Sequence, residues 1–265
     1  MYSAFQLSKK FIKYYLFAHN GKGHGIHSPF VFDFIIHVLN DKKKYPCYPR
    51  VESLRKQLLT NNTTIEVEDF GAGSAVIPFK NRKITDIART SLKPKKYAQL
   101  LFRIAKYYHP KNIVELGTSF GISTCYLASA ADASKVWTFE GSHNIAAIAT
   151  NSFKNIGLKN IKLIEGNFQK TIPASIDNIK NVDLLFVDGN HRKKATLEYF
   201  DIFLEKSTNQ SIFIFDDIHW SEEMEEAWKL IQQHPSVTLT IDLFFIGLVF
   251  FSTDFKVKQD FIIRF

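Results

Sequence analysis

The sequence predicts an α/β protein: a doubly wound, mostly parallel sheet with helices on both faces, preceded by a helical N-terminal extension. Three observations carry this. From residue 95 onward, short apolar runs alternate with longer helical patterns, as in repeated βαβ units. The alternation ends in "VTLTIDLFFIGLVFFS" (237–252), which holds no helix and has a glycine near its middle. That pattern predicts two strands paired as an antiparallel edge. The first 94 residues lack the alternation, so the chain reads as two segments, 1–94 and 95–265.

In order, residues 4–18 ("AFQLSKKFIKYYLFA") form a basic, aromatic amphipathic helix. Such a helix lies on a membrane surface, or packs on the body or on a second copy in a homodimer. Ser28 and Pro29 are a good N-cap and first helical residue for a helix over 29–39. His24 and His27 precede it in a glycine loop. A metal or phosphate is one reading of them; with no third ligand near, loop residues or cap donors is the other. A further helix is expected near 50–60. Then come a helix over 95–108 and a strand at "NIVELG", followed by the helix "ISTCYLASAA" and the strand "KVWTFEG". A helix ending at Gly157, the strand "IKLIEGN" and a short helical stretch carrying Pro173 follow. The series closes with the strand "VDLLFVDG", a helix from about Arg192, the strand "QSIFIFDD" and the helix "SEEMEEAWKLIQQH". With the final pair, seven strands are expected.

Composition narrows the function classes. The chain has 265 residues, 45% hydrophobic and 23% charged, ordinary for a globular protein with a sizeable core. No apolar run is long enough to span a membrane, and "FIKYYLFA", broken by Lys13, is no convincing signal peptide. Cys47 and Cys125 make neither a disulfide framework nor a metal spacing, so a reduced, cytoplasmic protein is expected. The net charge of +8 suits nucleic acid or another anionic partner. The lysines are scattered, however, and an anionic small cofactor suits the same field.

Two loops compete as a cofactor cradle: "VEDFGAGS" (67–74) and "VELGTSFG" (114–121). In doubly wound sheets, ligands bind beyond the carboxyl ends of the strands. Only the second loop lies between a strand and a helix, with Gly117 and Gly121 turning the chain and free helical N–H groups following. The first is followed by "AVIPFKNRK", with no clean helix, and reads as a loop of the N-terminal extension. A carboxylate at the end of the next strand would hold ribose hydroxyls, and Glu140 in "VWTFEGS" is so placed. The third strand ends in "EGN", which puts Asn167 near an adenine edge. The loop lacks the middle glycine of G-x-G-x-x-G, which argues against a pyrophosphate and NAD. Its acidic strand end suits a cofactor with an ammonium group.

Together, "IVELGTSFG", "FEG", "FVDGNH" and "FIFDDIHW" resemble the class I S-adenosylmethionine-dependent methyltransferases. The likeness is closest to the metal-dependent small-molecule O-methyltransferases of the catechol, caffeoyl-coenzyme A and antibiotic-sugar types. It covers about residues 95–251. The resemblance implies a Rossmann-like, seven-stranded sheet with an antiparallel last strand. It implies cofactor contacts from Glu115, Gly117, Thr118, Ser119, Gly121, Glu140, Gly141, Ser142, Asn167 and Asp188. It also implies a Mg²⁺ site of Asp188, Asp216 and Asp217, where the ion would lower the pKa of a substrate hydroxyl.

His191 follows Asp188 by three residues, where catechol-type members carry a lysine base. A histidine is a departure, yet its ordinary pKa suits a general base; the alternative is a cap of the helix from Arg192. Asp188 and His191 are thus the catalytic candidates. Asp216 and Asp217 have a capping alternative of their own, before "SEEMEEAW". His219 is a ligand, a substrate contact or a structural residue. The leading expectation is an O-methyltransferase acting on a hydroxylated small molecule. Beside it stand a tRNA methyltransferase with the same cofactor, an NAD-type oxidoreductase and a non-catalytic binding module.

Overall fold

The computed structural model describes residues 1–69, 77–131 and 133–265. In chain order the elements are α1 (Ala4–Phe17), α2 (Pro29–Phe34) continued by a π-helical turn (Ile35–Leu39), α3 (Cys47–Thr60), β1 (Thr64–Asp69), β2 (Ile77–Lys83), α4 (Ile84–Ser91) and α5 (Lys95–Tyr108). Next come β3 (Asn112–Leu116), α6 (Ile122–Ala130), β4 (Lys135–Glu140), α7 (His143–Ile156), β5 (Ile161–Glu165) and α8 (Phe168–Ile176). The last are β6 (Leu184–Val187), α9 (Lys193–Leu204), β7 (Ile212–Asp216), α10 (Glu222–Gln233), β8 (Leu239–Asp242), β9 (Ile246–Phe250) and β10 (Gln259–Ile262). Among the described residues no helix is long and apolar enough to cross a membrane.

The chain forms two compact units, Met1–Asp41 with Lys180–Phe265, and Lys42–Ile179. These cut across the pattern boundary near residue 95, because the N-terminal extension contributes to both.

In the unit of 42–179, β3, β4 and β5 run parallel in that order. β3 is buried from Ile113 to Leu116, and β4 from Val136 to Phe139, so both are covered on both faces rather than alternating between core and solvent. α5 stops where His109 adopts a left-handed conformation (φ 51°), just before Pro110. α7 ends at Gly157 (φ 75°), as its sequence suggested. β1 and β2 pair as an antiparallel ribbon that the sequence reading did not anticipate, and α4 follows directly. Val67 and Glu68 therefore sit on a strand, while positions 70–74 of the first glycine loop lie outside the described residues.

In the unit of 1–41 and 180–265, β6 and β7 are parallel, and β9 lies antiparallel between β7 and β8. The expected antiparallel edge pair is thus present. β10 adds a parallel strand beyond β8 that the sequence did not announce. α1 opens with a capping box between Ser3 and Gln6. Its inner face sets Tyr14 and Ala18, with Leu7 and Phe11, against Phe244. Phe11 meets Phe244 edge to face at 5.1 Å, and Tyr14 donates to the carbonyl of Ile263. Of the two readings of residues 4–18, packing on the body accounts for this face. Phe5, Ile12, Leu16 and Phe17 remain exposed. Ser28 occupies the N-cap of α2, although its side chain makes no capping bond.

Candidate functional site

The residues expected to bind the cofactor form one group in the unit of 42–179. β3 and β4 pair in register, with Glu115 opposite Thr138 and Leu116 opposite Phe139. The ladder extends one step further, because the N–H groups of Gly117 and Thr118 both donate to the carbonyl of Phe139, at 3.0 and 3.1 Å. The chain then turns sharply. Gly117, Ser119 and Gly121 have φ of 101°, 47° and 84°, with the Gly121 N–H returning to the Thr118 carbonyl at 2.9 Å. Ser119 pays a conformational penalty that glycine does not, and such strain gathers at functional loops. A Cβ on Gly121 would lie 2.5 Å from Cε1 of Phe153, so glycine is required there by both space and torsion.

Glu140 ends β4 beside this loop. Its Oε2 accepts from the Ser119 N–H at 2.8 Å, and its Oε1 accepts from the Ser142 N–H at 3.1 Å. Two backbone donors therefore fix the carboxylate against the turn. Burial pushes the Glu140 carboxyl up to about 7, against the downward pull of the Ser142, Ser119 and Gly141 N–H groups. Gly141 and Ser142 follow directly, and Ser142 is the N-cap of α7. Asn167 lies just past β5, where its side chain accepts from the Gln169 N–H at 2.9 Å and caps α8. Its amide N–H₂ is not committed by that cap.

Behind the loop lies a buried hydroxyl network that the sequence reading missed. Glu115 is fully buried, and its Oε2 accepts from Thr138 at 2.7 Å and from Thr124. Thr118 and Thr138 share a hydrogen bond of 2.6 Å. Burial raises the Glu115 pKa, and the neighbouring hydroxyls of Ser123, Thr124 and Thr138 oppose the shift. A threonine inside the apolar strand "KVWTFEG" was the available signal, since it can lie opposite the last charged residue of β3. Ser91 at the end of α4 also reaches the loop, 2.9 Å from the Ser119 hydroxyl.

The group fits a nucleoside cofactor on three counts. The turn at Gly121 admits no side chain. Glu140 offers a carboxylate anchored from behind. Two buried atoms here, Glu115 Oε1 and Ser142 Oγ, have no hydrogen-bond partner.

The second group lies in the other unit. β6 and β7 are parallel neighbours whose last register pair is Val187 with Phe215. Asp188 and Asp216 come one step further, so adjacent strand ends bring two carboxylates together. His191 joins them: ligand atoms of Asp188, His191 and Asp216 all lie within 4.8 Å of one another. Asp216 is buried, whereas Asp188 and His191 are half-buried. His191 Nε2 stands 3.8 Å from Asp188 Oδ1. Asp217 is not in this set of three; it has a left-handed backbone (φ 55°), and its N–H donates to the Phe245 carbonyl at 2.7 Å. The capping alternative does not describe Asp216 and Asp217, because Ser221 takes that place at α10. α9 is capped at Arg192 and α10 at Ser221, whose hydroxyl accepts from the Met224 N–H. Two clustered carboxylates with an imidazole fit a divalent cation.

His219 belongs to a structural network. Its Nε2 meets Asp242 at 2.7 Å and its Nδ1 meets Glu225 at 3.0 Å. Glu225 also accepts from Tyr2 at 2.8 Å and from Lys10 at 2.9 Å, which pins the start of the chain to α10. Burial disfavours the imidazolium, but Asp242 and Glu225 outweigh it and raise the His219 pKa. His24 and His27 are exposed.

Residues 114–218 match the family model of a methyltransferase domain. The structure is similar to several solved methyltransferases. The Streptomyces achromogenes O-methyltransferase TomG, solved with S-adenosylmethionine, gives a TM-score of 0.54 at 18% identity, covering 61% of this chain and 82% of that one. The Bacillus cereus O-methyltransferase, solved with S-adenosylhomocysteine, gives 0.57 at 18% identity, covering 80% and 93%. The S-adenosylhomocysteine-bound Podospora anserina methyltransferase PaMTH1 gives 0.58 at 13% identity, covering 95% and 97%. The chain therefore has the Rossmann-like methyltransferase fold, mostly parallel with an antiparallel strand near one edge. In sequence, a 131-residue stretch is 27% identical to the uncharacterized protein y4gI of Sinorhizobium fredii. It spans 45% of this chain and only 14% of that protein.

Proposed function

We propose that this chain is an S-adenosylmethionine-dependent O-methyltransferase that acts on a hydroxylated small molecule with the help of a divalent cation. The observation that carries the reading is the Glu140 carboxylate, held by the Ser119 and Ser142 N–H groups beside a turn closed to side chains at Gly121. An anchored carboxylate at the end of the second strand of a βαβ unit accepts from the two hydroxyls of a ribose. Glu115 adds a buried acceptor and Asn167 an amide for the adenine edge. When bound, the cofactor supplies an electrophilic methyl group and the cation supplies a charge that favours a deprotonated hydroxyl. The chain's own part is to bind, to orient and to keep charge in place. Asp188 and Asp216 hold the positive charge, and Gly117 and Gly121 let the backbone approach the cofactor.

The test is methyl transfer from labelled S-adenosylmethionine to a panel of catechols, phenolic acids and sugar hydroxyls, with and without divalent cation. Transfer that needs the cation and is lost in Glu140→Ala supports the reading. Transfer to no hydroxyl, with S-adenosylhomocysteine failing to bind, would overturn it.

A further inference from the structure

Asp188, His191 and Asp216 do not form an all-oxygen set. The ion site implied by the family resemblance is one of carboxylates and water, which suits Mg²⁺: a hard ion that demands a near-ideal octahedron of oxygens. Here the third member of the cluster is an imidazole, and Asp217 stands outside it. Imidazole nitrogen favours first-row transition ions over Mg²⁺, with carboxylates tolerated by both. We infer that these three residues form a mixed carboxylate–imidazole site for a first-row divalent ion of the Mn²⁺, Fe²⁺, Co²⁺ or Zn²⁺ series, with His191 as a ligand. The inference rests on the proposed function only for the use made of the ion.

The geometry agrees. Two donors at about 2.1 Å from one ion stand about 3 Å apart when adjacent and about 4.2 Å apart when opposite. His191 Nε2 and Asp188 Oδ1, at 3.8 Å, fall within that span. All three pairs of ligand atoms lie within 4.8 Å, so side-chain adjustment brings the donors to the spacing of one coordination sphere. The local backbone supports the placement. Asn190 takes a left-handed conformation (φ 52°), which reverses the chain between Asp188 and His191. α9 then begins at Lys193, after Arg192 at its N-cap. Asp216, at 3% exposed, is the anchoring carboxylate, and His191 closes the site from its more open side. A ligating His191 leaves the acceptor's proton to another group, which separates this assignment from the general-base reading of the same residue.

The test uses the full chain stripped with chelator. Mn²⁺ and Mg²⁺ are titrated calorimetrically into wild type, His191→Ala and Asp216→Asn, and Co²⁺ is followed by its visible absorption. Mn²⁺ should bind on the order of tenfold or more tighter than Mg²⁺. His191→Ala should weaken Mn²⁺ by about tenfold or more while changing Mg²⁺ far less, and should alter the Co²⁺ spectrum. Asp216→Asn should weaken both ions. An Mn²⁺-to-Mg²⁺ ratio unchanged by His191→Ala would overturn the assignment, as would the absence of any ion binding. Circular dichroism of the same samples reports on folding, and S-adenosylhomocysteine titrated into them judges the methyltransferase reading separately. Mn²⁺ binding without it would leave the ion site standing and remove the proposed activity.

Discussion

Gly121→Ala tests the cradle through its most constrained atom. Two costs apply. A φ of 84° places an L-residue in the left-handed region, at about 1–2 kcal/mol. The new Cβ would also stand 2.5 Å from Cε1 and 3.1 Å from Cζ of the buried Phe153 ring. Overpacking of that kind costs about 1–3 kcal/mol. The reduced freedom of the unfolded chain returns about 0.4–1 kcal/mol. The expected net loss is therefore about 1–4.5 kcal/mol, centred near 3. Gly157→Ala is the control, since Gly157 has a similar φ of 75° but its nearest neighbour is Arg50 Nη2 at 3.8 Å. It should lose only the torsional part. Denaturant unfolding of both variants, read at constant slope, gives the difference. S-adenosylhomocysteine titration should show weakened binding in Gly121→Ala alone. Equal losses for the two variants, or a Gly121→Ala loss under about 0.5 kcal/mol with binding intact, would refute the close approach of Phe153 and the turn built on it.

Other outcomes follow from the same geometry. Cofactor binding should depend on pH through Glu140. With its carboxyl near 7 in the free protein, the ionised form must be regained before ribose hydroxyls can donate to it. Affinity for S-adenosylhomocysteine should be flat above pH 8 and fall by about tenfold per unit well below pH 7, measured by calorimetry; a flat profile to pH 5 would contradict the shift. His219→Gln should destabilise the fold by about 2 kcal/mol, because Asp242 and Glu225 lose a charged partner. Since the His219 pKa is raised in the fold, its contribution is full below its ordinary value and fades as pH rises through the folded one. Urea unfolding at pH 6 and pH 9 should therefore show a larger gap between variant and wild type at pH 6. Gly247→Ala should cost about 1–3 kcal/mol in thermal or denaturant unfolding, because its Cβ would meet the Trp228 ring at 2.7 Å.

Much of the fold was legible because the signal is periodic. Seven expected strands are all present, and α5 spans Lys95–Tyr108 as read from its pattern. The Gly117–Gly121 loop was legible from context, a strand before it and a helix after, and not from its glycines alone. What escaped has physical reasons. β1 and β2 are short and rich in charged residues, and β1 offers only Ile65 and Val67 as apolar positions, too few to announce a strand. β10 is four residues long and pairs with β8, by a contact distant in sequence. α4 shows a clear amphipathic pattern, but it is short and follows β2 with no intervening loop, and the sequence reading did not single out residues 84–91. At the site, Glu115 looked like a ligand contact and is also the hub of a threonine network, which only cross-strand register reveals. His191 was a base candidate by position, and its place beside Asp216 depends on two strands 25 residues apart lying side by side.

The central claim is that the β3–α6 turn and Glu140 hold S-adenosylmethionine. Calorimetric titration of the purified chain with S-adenosylhomocysteine, in wild type and Glu140→Ala, tests it most directly, with NAD⁺ run beside it. The account predicts saturable binding to wild type, a loss of about tenfold or more in Glu140→Ala from removal of a charged acceptor, and no binding of NAD⁺. Absence of binding, or equal binding to both proteins, would contradict it and leave the fold without the cofactor.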